Sequence, residues 1–159
     1  MADTKAFQPV LGRVPSGLFI LTVGTGPRAT GMLSSWVMQA GFDPPMVSVA
    51  VKLARLACDW ITEGQPFVLN LAGKSQDALV KHFNAGFEPG EPAFDGLAVD
   101  HCPRGVPILT DALGHLECEP VAHLDSGDHR VFLANVVRGR LGRTDEKPWI
   151  HVRTSGTHY

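Results

Sequence analysis

The chain has 159 residues, of which 44% are hydrophobic and 19% charged, and its net charge is −2. That length suits one domain burying roughly two-thirds of its unfolded surface, and the composition excludes a disordered chain. The charge balance offers no basic footprint for a nucleic acid, no apolar run reaches the ~18 residues of a membrane span, and Met1 to Lys5 lacks a signal-peptide core. Cys58, Cys102 and Cys118 form an odd set with no Cys-x-x-Cys. Free thiols in a reducing cytoplasm are therefore expected, rather than a disulfide framework or a structural zinc site.

In chain order, Phe7 to Val14 reads as a short helix stopped by Pro15, and Leu18 to Val23 as a β-rich strand ending at Gly24. Gly24-Thr-Gly26-Pro-Arg-Ala29 fits a loose dinucleotide pattern, with Asp43 downstream to meet a ribose. However, Pro27 removes an N–H from a loop whose task would be to donate N–H groups, and no helical stripe follows. A tight Gly-Pro hairpin turn is the better reading. Gly31 to Gln39 reads as a half-buried strand, and Asp43-Pro44-Pro45 as a turn before a strand at Met46–Val51. Leu53 to Glu63 looks helical and ends at Gly64; Phe67–Leu71 is a strand. Ser75 can cap a helix with Gln76, Leu79, Val80 and Phe83 on one face. Past Phe87 a turn-rich loop gives way to β-like runs at Gly114–Leu124 and Arg130–Leu141. The turn at Asp125–Asp128 joins them as a hairpin, and no strong helix follows residue 90. The first half alone would suggest a parallel α/β sheet; the second half argues for an antiparallel sheet or barrel.

Four segments could carry chemistry. Gly31 to Gln39 places Ser34, Ser35 and Trp36 together, able to bond a polar heterocycle and cover it, although such a segment is more commonly plain strand. Val49 to Arg55 ends a strand in Lys52 and Arg55 where a helix could begin, which suits a phosphate as well as it suits solvent. Lys81-His82-Phe83 closes a helix, where cations are ordinary. Gly127-Asp128-His129 puts an imidazole at a turn. The seven histidines show no metal-ligand spacing, and no Ser-His-Asp or Cys-His arrangement can be singled out.

Taken in order, Leu11 to Thr22, the Ser34-Ser35-Trp36 segment, Asp43-Pro-Pro45, Phe67 to Leu71, Lys81-His82-Phe83, Leu116-Glu-Cys-Glu119 and Gly127-Asp-His129 resemble the flavin reductase-like family. The likeness is strongest to the flavin reductase module of cyanobacterial flavodiiron proteins. The resemblance implies a mainly β fold with peripheral helices, a single-domain Greek-key split β-barrel that binds FMN, usually as a homodimer with the flavin near the interface. It implies an NAD(P)H-dependent flavin reductase or, alternatively, a non-enzymatic FMN electron carrier serving an electron-acceptor protein. Carried over by position, Ser34, Ser35, Trp36 and Gln39 would line the ring and ribityl chain, Ala50, Lys52 and Arg55 would hold the phosphate end, and His82 and Phe83 would close the site. His129 would face the nicotinamide. Two departures stand out: Leu53-Ala-Arg-Leu56, where many relatives place Ser or Thr, and Ala134-Asn135, where many place Gly-Glu.

Overall fold

A computed structural model describes residues 3–157. Helix α1 (Thr4–Gly12) is capped by Asp3, whose carboxylate accepts from Lys5 N, and it tolerates Pro9 within it. Strands β1 (Ser16–Gly17) and β2 (Phe19–Val23) follow, then β3 (Thr30–Ser34), β4 (Val37–Phe42) and β5 (Pro45–Lys52). Helix α2 (Leu56–Thr62), β6 (Phe67–Leu71) and α3 (Asp77–Phe83) complete the first half. The second half is all strand: β7 (Val99–His101), β8 (Pro107–Leu109), β9 (Gly114–Ser126), β10 (His129–Leu141) and β11 (Ile150–His151). No helix among the described residues is long and apolar enough to cross a membrane.

Seven strands form one sheet in the order β3-β2-β6-β9-β10-β5-β4, and every pairing is antiparallel. The two edge strands, β3 and β4, are consecutive in the chain and separated only by Ser35 and Trp36. The sheet therefore has to curl until its edges meet, while Ala50 N donates to Trp36 O at 3.0 Å and carries the β4–β5 ladder up to that two-residue link. This is the split barrel that the resemblance implied. The parallel α/β alternative is excluded.

The reason that alternative reads well is visible in β2. Leu21 and Val23 face the barrel core with Val49, Val51, Phe67, Leu69 and Phe132. Leu18 and Ile20 face a second core outside it, with Phe83, Ala93 and Leu109. A strand covered on both faces reads as a continuous apolar run, the habit of parallel sheets.

All three helices differ from expectation at their boundaries. α1 begins and ends earlier, at Thr4 and Gly12. α2 starts at Leu56, not Leu53, because β5 runs on until Lys52 pairs with His129, and Leu53 N then donates to Asp128 O at 3.0 Å. Ser75 does not cap α3: Gln76 holds the cap position, and Ser75 N donates instead to the Glu146 carboxylate at 2.6 Å. The Gly24–Ala29 segment is the hairpin turn between β2 and β3, with Gly24 at φ 80° and Gly26 at φ 56°. The expected strand from Gly31 to Gln39 is parts of two strands rather than one, broken at Ser35-Trp36. The β9–β10 hairpin turns on Gly127 and Asp128; only Gly127 has positive φ, at 65°, as the first position of a II′ turn requires.

Asn70 ties β2 to β8 at the second core. Fully buried on β6, it donates through Nδ2 to Ile20 O at 3.0 Å and accepts at Oδ1 from Leu109 N at 2.8 Å. Replacing it leaves a buried donor and acceptor without partners, at about 1–3 kcal/mol for an unsatisfied group. Asn70→Ala should lower unfolding stability by at least about 2 kcal/mol in urea titration, with a cavity contribution added.

Candidate functional site

The seam where the sheet closes is also where a cleft opens. Its volume is about 440 Å³. Ser34 and Ser35 form one wall at the end of β3. Ala50 and Lys52 come from the end of β5, Arg55 from the turn after it, and His129 from the start of β10. Six of the ten residues expected from sequence therefore meet here. The local chain explains why: β5 and β10 are in register with Lys52 opposite His129, so both strand ends reach the seam together.

Ser34 Oγ is buried and has no hydrogen-bond partner, one of two such side-chain atoms among the described residues, the other being Asn135 Oδ1. A buried hydroxyl left unpaired is costly unless something else satisfies it. Here it belongs to a cleft residue, and the same cleft presents Lys52 and Arg55. This donor and acceptor set fits a polar heterocycle carrying an anionic tail.

His129 is not the exposed turn residue that its position near Gly127 suggests. It is 9% exposed and its ring lies 4.7 Å from that of Trp36. Nδ1 is 2.7 Å from Asp128 Oδ1. A carboxylate only accepts, so Nδ1 carries the hydrogen, and in the neutral ring Nε2 is left as an acceptor. The hydrogen bond from His129 is the main cause holding the Asp128 carboxyl below its usual range. The contact accordingly persists through neutral pH and is lost only when acid protonates Asp128.

Arg55 is partly committed: Nη1 donates to Ala85 O at 3.0 Å, and the guanidinium lies against Gly86, where a Cβ would stand 2.6 Å from Nη1. Helix α2 has seven residues and its Cys58 N–H is taken by Arg55 O. Lys52 and Arg55 are the two Lys or Arg side chains that line the cleft among the described residues.

Four expected residues stand elsewhere. Trp36 lines an adjoining apolar groove of about 470 Å³, with Arg153 over its ring at 5.4 Å; it reaches the cleft through its contact with His129. Gln39 lines a separate opening of about 580 Å³ beside Phe19, Met38 and Met46. Phe83 is fully buried in the second core. His82 bonds Ala93 O through Nε2 at 2.8 Å and packs on Phe83 and Phe87. The face that α3 turns to the cleft is Asp77, Val80 and Asn84, a spacing of three and four that the helical period makes legible. Asp77 is paired with Lys81 at 2.5 Å, which raises the Lys81 ammonium pKa through that hydrogen bond. Trp149 and His151 also line the cleft; nothing in their local sequence signals it. Burial, followed by the nearby Arg153 charge, pushes the His151 imidazole below its usual value, so it is neutral at pH 7.

Asp128→Ala should release the fixed tautomer. Nitrogen NMR of wild type should show His129 with hydrogen on Nδ1, and of the variant a mixture shifted toward Nε2–H. An unchanged tautomer would mean that Asp128 does not orient the ring.

The chain matches the flavin reductase like domain over residues 11–157 and belongs to that family. It is 38% identical over 150 residues to a putative diflavin flavoprotein A 3 of Nostoc sp., covering 94% of this chain and 26% of that protein. To diflavin flavoprotein A 1 of Synechocystis sp. it is 37% identical over 153 residues, covering 96% and 27%. The chain thus spans about a quarter of the length of the curated relatives it matches. Among solved structures, Streptomyces globisporus NADH:FAD oxidoreductase SgcE6 in complex with NAD and FAD fragments aligns at TM-score 0.82 and 22% identity, over 94% of this chain and 88% of that one. Flavin reductase HpaC complexed with NADP+ aligns at TM-score 0.78 and 22% identity, over 90% and 89%. Both have the same fold as this chain.

Proposed function

We propose that this member of the flavin reductase-like family binds FMN in the Ser34–Lys52–His129 cleft and acts as an NAD(P)H-dependent flavin reductase. The observation that carries the reading is the buried, unpartnered Ser34 hydroxyl in a cleft that also presents two cations. FMN bound there would supply the redox chemistry, taking a hydride from the dihydronicotinamide and a proton from solvent. Ser34 and Ser35 hydrogen-bond its polar edge. Lys52 and Arg55 neutralise the phosphate, Arg55 with the guanidinium edge not used by Ala85 O. His129, held by Asp128, accepts a hydrogen bond at Nε2 from the nicotinamide carboxamide. The protein's contribution is position and exclusion of water, which requires no strong acid or base. Solved relatives described with NAD and FAD fragments or with NADP+ support this reading.

A second role, electron delivery to a protein acceptor, is favoured by one fact: the named diflavin flavoproteins are about four times as long as this chain. Both roles suit a homodimer, in which the apolar opening around Met38 and Met46 and the 91% exposed Phe42 would be covered.

The deciding measurement is the absorption spectrum of the protein with FMN, before and after anaerobic NADH or NADPH. Bleaching at catalytic rates supports the reductase. Binding without bleaching leaves the carrier, and failure to bind FMN in calorimetry removes both. Arg55→Ala should weaken FMN on the order of 10- to 100-fold and riboflavin far less, since a hydrogen bond to a charged group is worth about 1.5–3 kcal/mol. Equal losses would place Arg55 away from the phosphate. His129→Ala should slow anaerobic reduction on the order of 100-fold with FMN occupancy retained, the effect of misplacing a reactant by about 1 Å. Stopped-flow traces matching wild type would remove His129 from the site.

A further inference from the structure

The segment after residue 145 crosses the surface as an extended strap. It is tied along its length: Lys74 N to Lys147 O at 2.9 Å, Trp149 N to Ala72 O at 3.0 Å, the β1–β11 pairing of Ser16 with His151, Arg153 N to Gly12 O at 2.7 Å, and Gly156 N to Gln8 O at 2.8 Å. A Cβ on Gly12 would meet Arg153 O at 2.7 Å, so the strap lies as close as a glycine permits.

Its side chains alternate with the period of a strand, but in the opposite sense to an ordinary surface strand. Ile150 and Val152 point to solvent, 65% and 58% exposed, while Trp149, His151 and Arg153 turn inward and are half-buried. A strand whose inner face only packed on a core would carry its aliphatic residues inward. Here the inward pair Trp149 and His151 instead forms a wall of the 440 Å³ cleft, joined by His129 and Ser34. Trp149 also extends the second core to that cleft, packing with Leu33 and Val80. The inverted pattern is explained if the inner face is shaped for a ligand that is partly aromatic and partly polar.

We propose that Trp149 and His151 contact the flavin directly, and that this strap, rather than the cations alone, sets how long the flavin is retained. The inference rests on reading the cleft as a flavin site. Trp149 offers an apolar aromatic surface to the ring system, and His151, neutral at pH 7, offers one donor and one acceptor to its polar edge or ribityl hydroxyls.

The test uses the whole chain and FMN as probe, reading the dissociation constant and rate by flavin fluorescence, with thermal unfolding measured without flavin. Trp149→Ala and His151→Ala should each weaken FMN about tenfold or more, and speed its release, with riboflavin affected equally because neither residue is assigned to the phosphate. Ile150→Ser and Val152→Ser, outward on the same strap, should leave affinity within about twofold. If inward and outward variants weaken FMN alike, the strap is only structural and the proposal is overturned. If both inward variants bind as wild type does, it is overturned as well. Should Trp149→Ala fail to fold, His151→Ala decides alone. If wild type binds neither FMN nor riboflavin, the flavin reading of the cleft falls instead, an outcome distinct from the others.

Discussion

The two-residue link between the edges of the sheet is the constraint on which the rest of the molecule depends. Seven antiparallel strands could lie open, but β3 and β4 stand at opposite edges and only Ser35 and Trp36 separate them. Closure follows from chain length alone, since two residues span about 7 Å when extended. The Ala50–Trp36 hydrogen bond carries the β4–β5 ladder to the edge of that link. Everything in the cleft arrives there as a consequence: the last residue of β3, the last of β5 and the first of β10 are brought together by register, not by nearness in sequence.

That geometry also accounts for the buried histidine. A two-residue hairpin ordinarily projects its side chains into water. The β9–β10 hairpin instead ends level with the seam, so the residue just inside the turn faces the cleft while Asp128, still in the turn, stays exposed and reaches back to hold the ring. A surface carboxylate of this kind adds little to stability. Its effect is to select one tautomer, and so to decide whether the imidazole offers the cleft a donor or an acceptor.

Much of the fold could be read from the sequence because its strongest signals are local. The Gly24–Ala29 and Asp125–Asp128 turns, the runs at Phe67–Leu71 and Met46–Val51, and the two long late strands each declare themselves through β-branched content and turn residues. Helix starts were less legible, since Lys52 and Ser75 have partners far along the chain, His129 and Glu146, which no local window contains. The site divides in the same way. Residues at strand ends, such as Ser34, Lys52 and His129, follow from pattern and family likeness. His82 and Phe83 sit on the correct helix but on the side turned to the second core, where Gln76, Leu79, Val80 and Phe83 define the stripe; its edge at Val80, with Asp77 and Asn84, is what reaches the cleft. Trp149 and His151 were invisible, because their position depends on backbone contacts with Ala72 and Ser16, 77 and 135 positions earlier.

The charge balance of the cleft follows from the same arrangement. Lys52 and Arg55 converge on it from the last residue of β5 and the N-cap of α2. In the proposed reading these two cations meet the phosphate, with Arg55 stiffened by its bond to Ala85 O and given room by the glycine at position 86. Asp77 is the one carboxylate lining this cleft, and it would oppose an anion. Its pairing with Lys81 one turn along α3 directs that charge outward. The cleft thus combines two cations, a paired carboxylate, a tautomer-fixed histidine and an unsatisfied serine. It is well arranged to position an anionic, hydrogen-bonding planar molecule whose own reactivity does the work.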